Sequence, residues 1–191
     1  IANEQGFKVK IKPLGFNAAV QAVESGQIDG VIAGMSITNA RKAQFTFSDP
    51  YFTSGVVMAV AKNSHVKKLS ELRGKKVAVK TGTAGADYAN SLKKKYGFTV
   101  VTFDDSNNMY QDVTTGNSAA CFEVDPVMKY AIKQGAKLKI VTKPAESAPY
   151  GFAVKKGRNQ ALMSAFNNGL KDLKASGTYD NIKAKYLGTD K

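Results

Sequence analysis

Apolar residues occur along the chain in short runs, and the segments between the runs repeat apolar residues at helical spacing. The runs are rich in Val, Ile and Phe and are bounded by turn residues, which is typical of buried β-strands. The predicted strands cover residues 8–13, 30–34, 55–61, 76–80, 98–103, 119–124, 138–142 and 150–155. Because strands and helices alternate, the pattern predicts an α/β fold with mainly parallel strands.

Most predicted helices begin at a residue whose side chain can cap the free backbone amides of a first turn, and several end at glycine. The predicted caps are Asn17, Thr38, Thr83, Ser106 and Asp125, and the predicted stops are Gly26, Gly116 and Gly135. Near the C-terminus, Leu162, Phe166 and Leu170 recur at helical spacing, and a last helix follows through Tyr179 and Tyr186.

Two uninterrupted apolar runs bracket a long middle segment that has strand and helix units of its own. These runs begin at residues 55 and 150, and they read as paired crossings between two lobes. We therefore expect a discontinuous first lobe of residues 1–60 and 150–191, and a second lobe of residues 61–149. Ligand sites often lie between such lobes.

Composition limits the classes of function. The formal charge is +13, but the lysines are scattered and no basic stripe alternates with aromatic residues, so we expect no nucleic-acid partner. Cys121 and His65 are the only cysteine and histidine, so we expect no disulfide, transition-metal site, catalytic dyad or cofactor. The apolar run at 54–61 is far shorter than the roughly 20 residues of a membrane span.

Arg41 follows the predicted strand 30–34 within the stretch GVIAGMSITNARKAQFTFSDPY. Ligands of open α/β sheets bind beyond the carboxyl ends of strands, which places the guanidinium well for an anion. Its planar donors fit a carboxylate bidentately. The alternative is that Arg41 faces water or pairs with Asp49.

A second anion-binding element is predicted at the sequence KVAVKTGTAGADYA. A strand ends at Lys80, and Thr83 begins a helix whose free amides and positive dipole end favour negative charge. The alternatives are a plain turn between strand and helix, and for Lys80 an ordinary exposed end of a strand.

Taken together, these segments resemble the polar amino-acid-binding proteins of ABC importers, the family 3 solute-binding proteins, and are most similar to glutamine-binding members. The resemblance covers nearly the whole chain, through LGFNAAVQAVESGQIDGVIAGMSITNARKAQFTFSDPYFTSG, ELRGKKVAVKTGTAGADYA and ASGTYDNIKAKYLG in that order. It implies a two-lobed type II periplasmic-binding-protein-like α/β fold with two hinge crossings.

The resemblance also implies a site for a free amino acid. Arg41 would hold the α-carboxylate, and the carbonyl of Gly34 would accept a hydrogen bond from the α-ammonium. Lys80 would reach the far end of the ligand, which suits glutamine or glutamate. The remaining implied contacts are packing by Phe16 and donation to the carboxylate from the backbone amides of Ser36 and of Thr83 or Ala84.

The sequence departs from the family pattern in two places. Members carry an acidic residue two positions before the proline of CFEVDPVM, where this chain has Val124, so the ammonium partner is either Asp125 or Glu123. Asp125 has the alternative of capping its own helix. Members also carry a first strand, a loop and most of a first helix before the point that matches Ile1. We therefore expect an N-terminally incomplete first lobe, in a monomer or in a swapped or assembled form.

The expected function is extracytoplasmic binding of a polar amino acid, glutamine first, by closure of the two lobes. An ABC permease would then receive the amino acid at the outer face of the cytoplasmic membrane. One rival is an enzyme on the same scaffold, such as a dehydratase, although the sequence offers no paired carboxylates or histidine for it. Another rival is the ligand-sensing domain of a receptor.

Overall fold

The computed structural model describes residues 1–187, so residues 188–191 of the expected first lobe lie outside the described residues. The described chain divides into two compact units. Unit 1 comprises Ile1–Leu14, Ala18–Thr53 and the described residues from Ala148 onward, and unit 2 comprises Gly15–Asn17 and Ser54–Ser147. Both boundaries fall before the expected ones, at 53/54 instead of 60/61 and at 147/148 instead of 149/150.

The helices in chain order are α1 (Ala2–Gln5), α2 (Phe16–Ser25), α3 (Asn39–Lys42), α4 (Ala84–Tyr96), α5 (Ser106–Thr114), α6 (Asp125–Lys133), α7 (Gln160–Ala175) and α8 (Thr178–Leu187). The strands are β1 (Phe45–Phe47), β2 (Phe52–Ala61), β3 (Lys76–Lys80), β4 (Thr99–Phe103), β5 (Ala120–Val124), β6 (Leu138–Ile140), β7 (Ala145–Tyr150) and β8 (Ala153–Lys155). Within residues 1–187, no helix combines the length and the apolar character that a membrane crossing requires.

Unit 2 is built on a mixed sheet with the strand order β4-β3-β5-β2-β6, and β7 also pairs with β2. Strand β3 is parallel to β4 and β5, whereas β2 is antiparallel to β5 and β6. The sheet is therefore less uniformly parallel than the alternating pattern predicts, because β2 arrives from the other unit instead of from a crossover helix.

The core of unit 2 lies between this sheet and helices α5 and α6. Its fully buried members include Val57, Ala78, Met109 and Met128, and Cys121 is buried among them. Burial raises the pKa of the Cys121 thiol, because the charged thiolate would lose its hydration there. Cys121 is thus a small core residue.

Unit 1 has much less sheet. Strands β1 and β8 pair antiparallel, with Thr46 opposite Val154, and single bridges join Val31 to Ala153 and Ser36 to Tyr150. Helix α7 packs Phe166 against Phe152 with stacked rings whose centroids are 4.6 Å apart. The apolar core of this unit is completed by Val154, Met163 and Leu170.

Two strand predictions in unit 1 are wrong. Residues 8–13 form no strand, and Ile11 is 84% exposed. Residues 30–34 contribute only the bridge at Val31. Residues 8–13 pair with no strand among the described residues, and residues 30–34 meet strand β8 only at Val31, opposite Ala153. The expected N-terminal incompleteness of this lobe stays a prediction.

Three predicted caps shift by one residue. Helix α2 begins at Phe16, so Asn17 lies inside its first turn. Asp105, not Ser106, caps α5 by accepting a hydrogen bond from the Asn108 amide at 2.9 Å. Helix α6 begins at Asp125, which leaves Val124 at the cap position. Thr38 and Thr83 cap α3 and α4 as predicted.

Strands β2 and β7 approach each other closely at Gly55. A Cβ atom at this position would overlap the carbonyl oxygen of Ala145, so only glycine fits without a shift of the backbone. The next residue of β7, Glu146, has a φ angle of 50°, a left-handed conformation that is rare outside glycine. The paired crossings therefore carry a local irregularity that the sequence does not reveal.

Candidate functional site

The polar groups of unit 1 are arranged around the turn after Val31. Ser36 is buried, and its carbonyl oxygen accepts a hydrogen bond from Nη1 of Arg41 at 2.9 Å. Thr38 caps α3 and accepts from the Arg41 amide at 3.2 Å, which places Arg41 in the first turn of that helix. The half-buried guanidinium is thus fixed over the backbone of Ser36.

Tyr51 holds the same turn from the other side. Its hydroxyl oxygen accepts a hydrogen bond from the amide of Gly34 at 2.9 Å, and Gly34 itself has a φ angle of 64°. Burial raises the pKa of the Tyr51 phenol, partly offset by the Gly34 hydrogen bond. The hydroxyl of Tyr179 donates to the Tyr51 carbonyl. Tyr51 closes the stretch GVIAGMSITNARKAQFTFSDPY, but its bond to the Gly34 amide is not predictable from that sequence.

The polar groups of unit 2 begin at the turn between β3 and α4. The Thr83 hydroxyl accepts from the Ala86 amide at 3.3 Å and donates to the Lys80 carbonyl at 2.7 Å. The Thr83 amide also faces that carbonyl, at 3.4 Å. Ala84 is the first residue of α4, where no helical carbonyl accepts the backbone N–H. Of the two amides expected to bind a carboxylate, Ala84 is therefore the better placed.

Lys80 belongs to a buried polar network. Its ammonium donates to Oγ of Ser106 at 2.8 Å and lies 3.5 Å from Oε2 of Glu123. Ser106 also bonds Glu123 Oε2 at 3.4 Å, and Oε1 of Glu123 accepts from the Val124 amide at 3.0 Å. The Lys80 side chain is 16% exposed and that of Glu123 only 3%.

The two carboxylates considered for the ligand ammonium have different surroundings. Glu123 is buried and bonded to Lys80 and Ser106, so its oxygens are already engaged within unit 2. Asp125 forms an ion pair with Lys129 at 2.8 Å, one helical turn further along α6. Because Lys129 is half exposed, this pair is weaker than a fully buried one.

Phe16 is half-buried at the start of α2, and the short segment Gly15–Asn17 groups with unit 2 and not with the first lobe as expected. A Cβ atom on Gly15 would lie 3.6 Å from the Asp104 carbonyl, and one on Gly82 would lie 3.3 Å from Asn17. The residues flanking Phe16 therefore lie beside the turns that carry Thr83 and Ser106.

The family of bacterial extracellular solute-binding proteins, family 3, matches residues 1–189 of the sequence. The chain belongs to this family. The extracellular character expected from the resemblance is a property of the family, and the two-unit α/β structure agrees with its type II periplasmic-binding-protein fold.

Solved structures resemble this solute-binding protein over nearly all of its length. Substrate-binding domain 2 of GlnP from Lactococcus lactis, in its open conformation, is 46% identical over 100% of this chain and 82% of that chain, with a TM-score of 0.64. An ancestral arginine-binding protein bound to glutamine is 38% identical over 98% of this chain and 84% of that chain, with a TM-score of 0.86.

A third solved structure is that of an amino acid-binding protein named as a precursor of an enzyme. The ancestral amino acid-binding protein AncCDT-1, a precursor of cyclohexadienyl dehydratase, is 33% identical over 97% of this chain and 81% of that chain, with a TM-score of 0.86. Two of these neighbours are named as amino-acid-binding proteins, and the one named for arginine has glutamine bound. Family membership alone therefore leaves the side chain of the ligand to be argued from the site.

Proposed function

We propose that this protein binds a free polar amino acid and delivers it to an ABC permease. Glutamine is the ligand that we propose. The observation that carries the proposal is the Arg41 guanidinium held at 2.9 Å from the Ser36 carbonyl. A guanidinium fixed in this way is a strong bidentate partner for an α-carboxylate. Membership of an extracellular solute-binding family supports a small solute as the ligand.

Unit 2 supplies the complementary donors. The Ala84 amide at the start of α4 adds a second donor for the carboxylate, and the dipole of α4 favours negative charge there. Lys80 supplies a positioned ammonium for a carbonyl oxygen at the end of the ligand side chain. Phe16 supplies an apolar surface for the aliphatic carbons between these two ends.

The α-ammonium of the ligand needs acceptors, and we assign them to the Gly34 carbonyl and to Asp125. Glu123 is the poorer choice because its carboxylate is bonded to Lys80 and Ser106. Asp125 shares its charge with a half-exposed lysine, and such pairs hold together only weakly. In this proposal Asp125 exchanges Lys129 for the ligand ammonium, which keeps its largely buried carboxylate paired with a cation.

A ligand that bonds to both units binds best to the conformation in which both sets of groups reach it. Binding then shifts the population toward that conformation, which the permease recognises. The open conformation of the GlnP domain supports a conformational change in this group of proteins. We propose accordingly that the protein acts beside its permease, at the outer face of the cytoplasmic membrane.

An enzyme on this scaffold would need a general acid or base that reaches its substrate. The Glu123 carboxylate is bonded to Lys80 and Ser106, which leaves it poorly placed to act as a general base. A ligand-sensing domain of a receptor would bind the same ligand. Only a transport assay with the permease therefore distinguishes a sensor from a protein that delivers the amino acid for transport.

The decisive experiment is a thermal-shift screen against the twenty amino acids, followed by calorimetry on each hit. We expect glutamine to raise the melting temperature, because a ligand at 100 times its Kd stabilises the folded state by about 2.7 kcal/mol. Glutamine methyl ester, which lacks the carboxylate that Arg41 would hold, is the matched control and should give no shift. A screen in which no amino acid stabilises the protein would overturn the proposal.

A further inference from the structure

Glu123 is a charged side chain for which amino-acid binding alone gives no role. Its carboxylate is 3% exposed, and three protein groups surround it: the Lys80 ammonium, the Ser106 hydroxyl and the Val124 amide. A buried carboxylate is costly unless it is paired, so its position opposite Lys80 is the arrangement that makes its burial tolerable. The pair lies at the carboxyl ends of β3 and β5.

The pair changes the charge that a ligand meets at Lys80. Alone, the ammonium would attract a ligand carboxylate strongly, because the surroundings are partly desolvated. With Glu123 at 3.5 Å, the positive charge is balanced, and what remains is an N–H donor held by Ser106 at 2.8 Å. Asp105 adds a further negative charge near Lys80. The Asn108 amide is the main group that lowers the pKa of the Asp105 carboxyl, and the charge of Lys80 also lowers it.

We propose that Glu123 determines specificity by neutralising Lys80, so that the site selects a neutral amide side chain over a carboxylate. This inference rests on the proposed function and names the substrate class of the same site. A side-chain amide offers a carbonyl acceptor without charge, which matches a donor of balanced charge. Arginine and lysine side chains carry no acceptor for the Lys80 ammonium, so the site disfavours them.

Tyr110 provides a matched control inside the same network. It is buried, and within residues 1–187 no partner meets its hydroxyl in full hydrogen-bonding geometry. Burial and then the nearby Glu123 carboxylate raise the pKa of the phenol, whereas the Ser106 hydroxyl beside it acts to lower that pKa. Tyr110→Phe therefore removes a polar atom beside Glu123 without changing any charge. If the network acts only through its structure, both Tyr110→Phe and a neutral variant of Glu123 should change the ligand preference. If it acts through charge, only the Glu123 variant should change that preference.

The test is calorimetric measurement of Kd for glutamine and for glutamate. We expect the wild type to prefer glutamine, Glu123→Gln to shift the ratio of the two Kd values toward glutamate by at least about tenfold, and Tyr110→Phe to leave it unchanged. The double variant Lys80→Gln/Glu123→Gln has no charge at either position, so it should keep the preference for glutamine even where Glu123→Gln alone folds poorly.

The possible outcomes separate the role of Glu123 from amino-acid binding itself. A wild type that prefers glutamate, a Glu123→Gln ratio equal to that of the wild type, or a double variant that prefers glutamate would overturn the role of Glu123 while leaving amino-acid binding intact. A wild type that binds neither ligand, nor any other amino acid, would overturn the proposed function and this inference with it.

Discussion

The two units hold their polar groups in different ways. In unit 1 the backbone holds them: Arg41 is fixed by the Ser36 carbonyl, and the Tyr51 hydroxyl is fixed by the Gly34 amide. In unit 2 other side chains do so, since Lys80 is held by Ser106 and Glu123. The geometry of unit 1 therefore depends on the shape of a turn, and that of unit 2 on a balance of charge.

The units also differ in how their cores are built. Unit 2 surrounds a sheet of several strands with helices, and Val57, Ala59 and Ala78 are fully buried in it. The paired strands of unit 1 are only three residues long, and large apolar side chains such as Val9 and Ile32 are exposed there. We expect substitutions that probe packing to act most strongly in unit 2, and those that probe turn geometry in unit 1.

The largest effect is expected from Arg41→Ala in unit 1. Removing the guanidinium should weaken amino-acid binding by about 2 to 5 kcal/mol, the range for removal of one member of a desolvated charge pair. Calorimetry measures the change. Lys42→Ala, which removes an exposed charge from the next position of α3, is the control and should leave Kd unchanged. A loss below about 1 kcal/mol in Arg41→Ala would rule out the assigned role.

Gly55→Ala tests the packing of unit 2. The new methyl group would overlap the Ala145 carbonyl, and overpacking of this kind costs about 1 to 3 kcal/mol of the free energy of unfolding. Chemical denaturation measures the loss. Gly15→Ala is the control, because its Cβ atom would meet the nearest group at an ordinary contact distance of 3.6 Å. Equal stability of the two variants would mean that β2 and β7 separate easily.

Two tyrosines allow a direct comparison of the units. Tyr51→Phe in unit 1 removes the acceptor of the Gly34 amide and should cost about 1 kcal/mol of stability, with weaker ligand binding because the turn loosens. Tyr110→Phe in unit 2 removes a buried hydroxyl that no residue of 1–187 meets in full hydrogen-bonding geometry, and it should be neutral or stabilising. Paired unfolding curves check both, and the reverse order of stability would contradict the hydrogen-bond assignment.

The sequence predicted the fold well where strands lie inside a larger sheet. Residues 76–80 match β3 without a shift, because a run of alternating Val and Ala between turn residues has few other buried arrangements. The same reasoning failed at residues 8–13 and 30–34, because strand formation also requires a neighbour that pairs over several residues, and β8 meets residues 30–34 only at Val31. A local pattern carries no information on that neighbour.

For the candidate site, the sequence identified residues but not their partners. The caps at Thr38 and Thr83 were predictable because each partner lies three residues away. The pairing of Lys80 with Glu123 joins residues 43 positions apart, and the bond between Tyr51 and Gly34 joins a side chain to a backbone amide. Contacts of these kinds arise from the register of strands and the course of turns, which become visible only in the folded chain.

The smallest expected effect concerns the cap of α5. The Asn108 amide donates to Asp105 and holds the pKa of that carboxyl below its usual value of about 3.9. A folded-state pKa below the unfolded one stabilises the protein above the unfolded pKa, and this contribution is lost as the pH falls through the folded pKa. Asp105→Asn keeps an acceptor for the Asn108 amide but does not titrate. The stability of this variant should therefore fall slightly less between pH 5 and pH 2 than that of the wild type. Glu24→Gln is the control for the change in net charge. Identical slopes for Asp105→Asn and the wild type would mean that the cap forms equally well with a protonated carboxyl.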